Sequence, residues 1–140
     1  MIKKKAFTLI ELIVCLAIIS VMVLVIKVNF VNNKKTIAIE ELNLIAESIE
    51  NAKVFSIETG KVVTLKSDAK NEVFNIYSKD YVFKEIHCKN LNILNSVELN
   101  FNINGVPSEG KTFKFSYEKE NYEIRIRPAT GFVNVVKDED

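Results

Sequence analysis

The sequence predicts an α+β fold: a long N-terminal helix packed on a C-terminal antiparallel β-sheet. Three features lead there. Phe7 to Ile26 (FTLIELIVCLAIISVMVLVI) is an unbroken apolar run with one carboxylate, Glu11, and no proline or glycine. Beyond it, apolar residues recur first at helical spacing and then, from Lys61 onward, at every second position. A helix followed by strands in meander order makes an α+β layer rather than parallel βαβ units.

Three lysines, Lys3 to Lys5, precede the apolar run. At about 1.5 Å per residue, the run extends roughly 30 Å as a helix, the thickness of a bilayer's hydrocarbon core. Lysines ahead of it favour a cytoplasmic N-terminus, so residues after Lys27 are expected outside. A secretory signal would have a shorter apolar stretch ending in small residues. This one ends in Val25-Ile26-Lys27-Val28. A lipoprotein signal would use Cys15, but the bulky Val14 stands before it. A plain membrane anchor explains the length and leaves Glu11 unexplained.

A carboxylate deep in a membrane helix costs about 2.5–3.5 kcal/mol on insertion scales, so it either snorkels to the interface or has a partner or a task. The run contains no lysine, arginine or histidine to pair with Glu11. Cutting the chain between Ala6 and Phe7 would create a cation, because a new α-amine titrates near pKa ~8. Phe7 and Glu11 stand four residues apart, on one helix face. The amine can be neutralised within its own chain or by Glu11 of a neighbouring helix.

The second half of the helix is amphipathic. Ala38, Leu42, Ile45, Ile49 and Ala52 mark one face, with Glu40, Glu41, Glu47, Glu50 and Lys53 between them. Asn32-Asn33-Lys34-Lys35 is the weakest helical stretch, and Gly60 is the expected terminator. The domain reading is a basic leader (1–6), an apolar helix (7–27), an amphipathic helix (28–58) and a sheet domain (59–140). Strands are expected at Val62–Lys66, Glu72–Tyr77, Tyr81–His87, Val97–Ile103, Phe113–Tyr117, Tyr122–Arg127 and Phe132–Val136. Asn104-Gly105 and Pro128–Gly131 read as turns.

The segment Lys3-Lys4-Lys5-Ala6-Phe7-Thr8-Leu9-Ile10-Glu11-Leu12 resembles the class III signal of type IV prepilins and pseudopilins. The resemblance implies a pilin-like fold and a membrane prepilin peptidase that cuts after Ala6 and N-methylates Phe7. Ala6 stands where the family usually has glycine. The resemblance also implies that Glu11 docks a new subunit against the preceding subunit's N-terminal amine. Implied partners are the peptidase, other pilins or pseudopilins, an inner-membrane assembly platform with its motor ATPase, and membrane lipid before assembly. Much more loosely, Ala52-Lys53-Val54-Phe55-Ser56-Ile57-Glu58-Thr59-Gly60-Lys61-Val62-Val63-Thr64-Leu65 and Thr130-Gly131-Phe132-Val133 resemble H-type minor pseudopilins of type II secretion and their counterparts in pili and competence systems. The expected location is the cytoplasmic membrane, with the sheet domain outside, followed by a surface or periplasmic filament.

Composition narrows the alternatives. The chain has 140 residues, one histidine and two cysteines, too little for a barrel enzyme, a histidine-rich metal site or a disulfide scaffold. His87 and Cys88 are neighbours and would point to opposite faces of a strand, so they do not form a nucleophile–base pair. No glycine-rich phosphate loop, zinc spacing or serine-hydrolase motif occurs. Glu118, Glu120 and Glu123 read as solvated acids around a hairpin turn. No catalytic residue, metal site or cofactor is expected. Basic residues number 19 against 18 acidic ones, and losing Lys3–Lys5 leaves the remainder mildly acidic, so DNA stays an open question as a partner. The expectation is a minor pilin or pseudopilin. The alternative is a single-pass anchored binding module that never polymerises.

Overall fold

The computed structural model describes residues 9–79 and 81–138, in backbone only for 24–33 and 81. A single helix, α1, runs Leu9–Thr59 and includes residues 32–35. Gly60 follows it with φ of 63°, the left-handed conformation that ends helices and that glycine adopts without a Cβ clash. The chain forms two compact units, Met1–Thr36 and Ile37–Asp140.

In the second unit the rest of α1 meets eight strands: β1 Val63–Asp68, β2 Val73–Ser78, β3 Tyr81–His87, β4 Asn92–Ile93, β5 Glu98–Phe101, β6 Lys111–Tyr117, β7 Glu120–Ile126 and β8 Val133–Asp138. Every pairing is antiparallel. The helix-then-strands order is as expected, but the strands divide between two four-stranded sheets, β3-β2-β1-β5 and β4-β6-β7-β8. Each sheet is a three-stranded meander extended by one strand from elsewhere in the chain. Alternation tells each strand which face is buried, but not which sheet it joins.

The exchange between sheets is built from polar side chains. Asn95 lies between β4 and β5; its Oδ1 accepts from Lys114 N and its Nδ2 donates to Thr112 O, both on β6. Its main-chain oxygen accepts from Ser67 Oγ on β1. One residue therefore satisfies backbone groups of one sheet while it is held by the other. The strand expected at 97–103 stops at Phe101, because Asn102 closes a turn. Its side-chain oxygen accepts from the Asn104 and Val106 amides, and its carbonyl accepts from Gly105 N. Gly105 has φ of 72°, and a Cβ there would lie 2.7 Å from the Ile57 side chain. Only glycine lets the turn approach α1 so closely.

The core is one cluster shared by the helix and both sheets. Ala38, Leu42, Ile45, Ile49 and Ala52 are all buried, together with Leu65, Phe74, Ile76, Leu99, Phe101, Phe113, Phe115 and Ile124. Across the sheets, Phe74 of β2 meets Phe113 of β6 edge-on, with centroids 5.2 Å apart, the geometry the ring quadrupoles favour. Polar ties run along the helix as well. Glu41 accepts from the amides of Asn90 and Leu91 and from Asn90 Nδ2. Lys84 Nζ donates to Ser48 Oγ, and Lys53 Nζ donates to the carbonyl oxygens of Thr130 and Gly131.

Candidate functional site

The first unit presents the residues around Glu11. Glu11 sits in the first described turn of α1, and Leu9, Ile10, Leu12, Ile13, Val14, Leu16, Ile18, Ile19, Val21 and Met22 are all exposed. Consecutive residues point in every direction around a helix, so this surface is apolar on all sides. Such a helix belongs in lipid or inside an assembly. Ile10, Glu11, Val14 and Cys15 line one shallow groove, and Ala17, Ile18, Val21 and Met22 line another further along. Ser20 Oγ donates to the Leu16 carbonyl at 2.8 Å. That bond satisfies its hydroxyl within the helix, so the residue is tolerated in an apolar setting.

Among the described residues no helix is long and apolar enough to cross a membrane. The apolar side chains described end at Val23, whereas the apolar run of the sequence continues to Ile26. Ala6 and Phe7, the residues assigned to cleavage and methylation, lie outside the described residues. Of the three predicted site residues, only Glu11 is placed.

The second unit holds the chemistry-bearing side chains that the sequence raised. His87 is exposed, with Nε2 3.1 Å from Glu85 Oε1. Cys88 is buried, and burial, with the nearby Glu41 and Glu72 charges, pushes its thiol up to about 11. A reactive cysteine needs the opposite shift, since the thiolate is the nucleophile. Among the described residues no group of three or more His, Cys, Asp or Glu side chains is placed to hold a metal ion.

The three acids near the β6–β7 hairpin are not alike. Glu118 is exposed, as expected. Glu120 is half-buried, accepting from Tyr122 OH and Lys137 Nζ. Glu123, expected in solvent, is only 6% exposed. Its Oε2 lies 2.6 Å from Arg125 Nη2 and its Oε1 lies 3.3 Å from Lys114 Nζ. The long stems of those two flanking cations cover it, as amphipathic side chains do. Alternation had placed Glu123 on the outer face correctly; the cover comes from its neighbours. Glu41 also escaped sequence reading, being one of several acids between the apolar helix positions. Its partners at Asn90 and Leu91 are far away in the chain, and no local signal marks it.

The described N-terminal part of α1 is thus an apolar helix surface that carries a single acid, Glu11. Residues 1–26 match the prokaryotic N-terminal methylation motif. The chain thus carries the class III signal of a type IV prepilin or pseudopilin, the mark of a pilin-like protein processed by prepilin peptidase, anchored in the membrane by its N-terminus before assembly with other pilins. No curated protein and no solved structure matches the chain significantly.

Proposed function

We propose that the protein is a minor pilin or pseudopilin, a structural subunit and not an enzyme, serving a pilus, competence or type II secretion filament. The observation that supports this best is the methylation motif at residues 1–26, on a helix that exposes apolar side chains all round. The leader holds the precursor in the cytoplasmic membrane with the sheet domain outside, until the peptidase cuts after Ala6 and methylates Phe7. A motor ATPase, acting through an inner-membrane platform, then moves the apolar helix from lipid into the filament core. That exchange is feasible because bundled apolar helices replace lipid contacts, while the attraction between Glu11 and a neighbour's amine sets the register.

Intact-mass analysis of protein from its native host tests the processing. The mature chain begins at Phe7 and is about 14 Da heavier than its sequence, one methylene. A chain that begins at Met1, unmodified, identifies instead an anchored binding module that does not polymerise. Glu11→Val tests the assembly step: the variant inserts in the membrane as wild type does, but its incorporation into sheared filaments is strongly reduced. Normal incorporation would remove Glu11 from the mechanism.

A further inference from the structure

We infer that Lys34 and Lys35 form a cationic band that binds anionic phosphodiester headgroups of the outer leaflet and holds the subunit in the bilayer once its leader is gone. The inference rests on the membrane-anchoring reading. Between Glu11 and Glu40 the sequence has no acid, and its charged residues are Lys27, Lys34 and Lys35. They lie on α1 and within the first unit, so Lys34 follows Ile26, the last residue of the apolar run, by about 12 Å along the helix. The headgroup layer is about 5–8 Å deep on each side of the hydrocarbon core. A lysine stem spans several ångströms and reaches back toward that layer with its ammonium. Lys34 is exposed and Lys35 half-buried, so at least one ammonium of the adjacent pair is presented outward at this level.

Processing gives the band its purpose. Before cleavage, Lys3, Lys4 and Lys5 flank the run on the cytoplasmic side and resist being drawn through the bilayer. Cleavage after Ala6 removes all three, leaving the new amine on that side and lysines on the other. Attraction of these lysines to an anionic surface then supplies retention that zwitterionic lipid cannot. Such retention is reversible: a lysine–headgroup contact yields to extraction where a second membrane span would not.

Full-length protein, reconstituted in vesicles of mixed phosphatidylglycerol and phosphatidylcholine, provides the test. Native mass spectrometry after gentle detergent release counts the lipids each chain retains. The wild type retains phosphatidylglycerol preferentially, Lys34→Gln/Lys35→Gln lowers that preference roughly thirtyfold, and Lys34→Arg/Lys35→Arg keeps it. Equal retention of the two lipids by the wild type, or an unchanged preference in the glutamine variant, overturns the inference. Carbonate extraction of the same vesicles separates the two readings. A chain washed out by carbonate defeats the anchoring itself, and the band with it, whereas a chain that stays without lipid preference defeats only the band.

Discussion

Replacing Glu123 with glutamine keeps the shape of the side chain and removes its charge. The hydrogen bond from Arg125 holds this carboxyl below its ordinary value, aided by Lys114, while burial works in the other direction. A carboxylate lowered in the folded state adds stability that is complete above its unfolded pKa of about 4.3 and is lost as the pH falls through the folded value. Glu123→Gln is therefore expected to lower stability by about 1–2 kcal/mol at neutral pH. The gap between variant and wild type should close as the pH is taken toward about 2. Urea titrations at both pH values measure it. An equal gap at the two ends would mean that the charge of the carboxylate does not account for the effect.

At the scale of the element, α1 carries two patterns in one continuous helix. From Leu9 to Val23 the apolar residues have no preferred side, whereas beyond Ile37 the residues Ala38, Leu42, Ile45, Ile49 and Ala52 form one buried stripe, with Ile39, Leu44, Val54 and Ile57 exposed beside it. Ile49→Ala removes a side chain with 0% exposure from the centre of the shared core and is expected to cost about 3 kcal/mol. Asn51→Ala, two residues along on the exposed side, should stay within about 0.5 kcal/mol. Thermal melts of the pair decide whether the stripe, rather than helix propensity, holds this segment. The stripe was legible in the sequence because a 3.6-residue period is a local property. So were most strands, the Gly60 terminator and the Asn104-Gly105 turn, each set by a few neighbouring residues. The split into two sheets was not legible, because it depends on Asn95 reaching β6 while its carbonyl meets Ser67. Nor was β4, whose two residues are too few to show a period. The same contrast holds for the site. Glu11 stands out against its own neighbours, whereas the burial of Glu123 depends on Lys114 from another strand.

For the whole molecule, the placement of the core suggests a division of labour. Every residue of the core cluster lies at Ala38 or later, within the unit Ile37–Asp140, and the residues from Leu9 to Val23 contribute none. A fragment spanning Ile37 to Asp140 should therefore fold alone and unfold in one cooperative step, with about 5–10 kcal/mol of stability, ordinary for a domain of this size. One core serves both sheets, so substitutions at Leu65 in the first sheet and at Ile124 in the second should each lower a single transition. Circular dichroism and near-ultraviolet signals recorded through one denaturant titration provide the check. Two separate transitions would mean that the sheets do not share one core, and a fragment without tertiary signal would mean that the N-terminal helix also helps hold the domain together. Independence matters for the proposed mechanism. A helix that leaves lipid and enters a filament exchanges all its surroundings, and a domain whose core never included those surroundings can make that passage without unfolding.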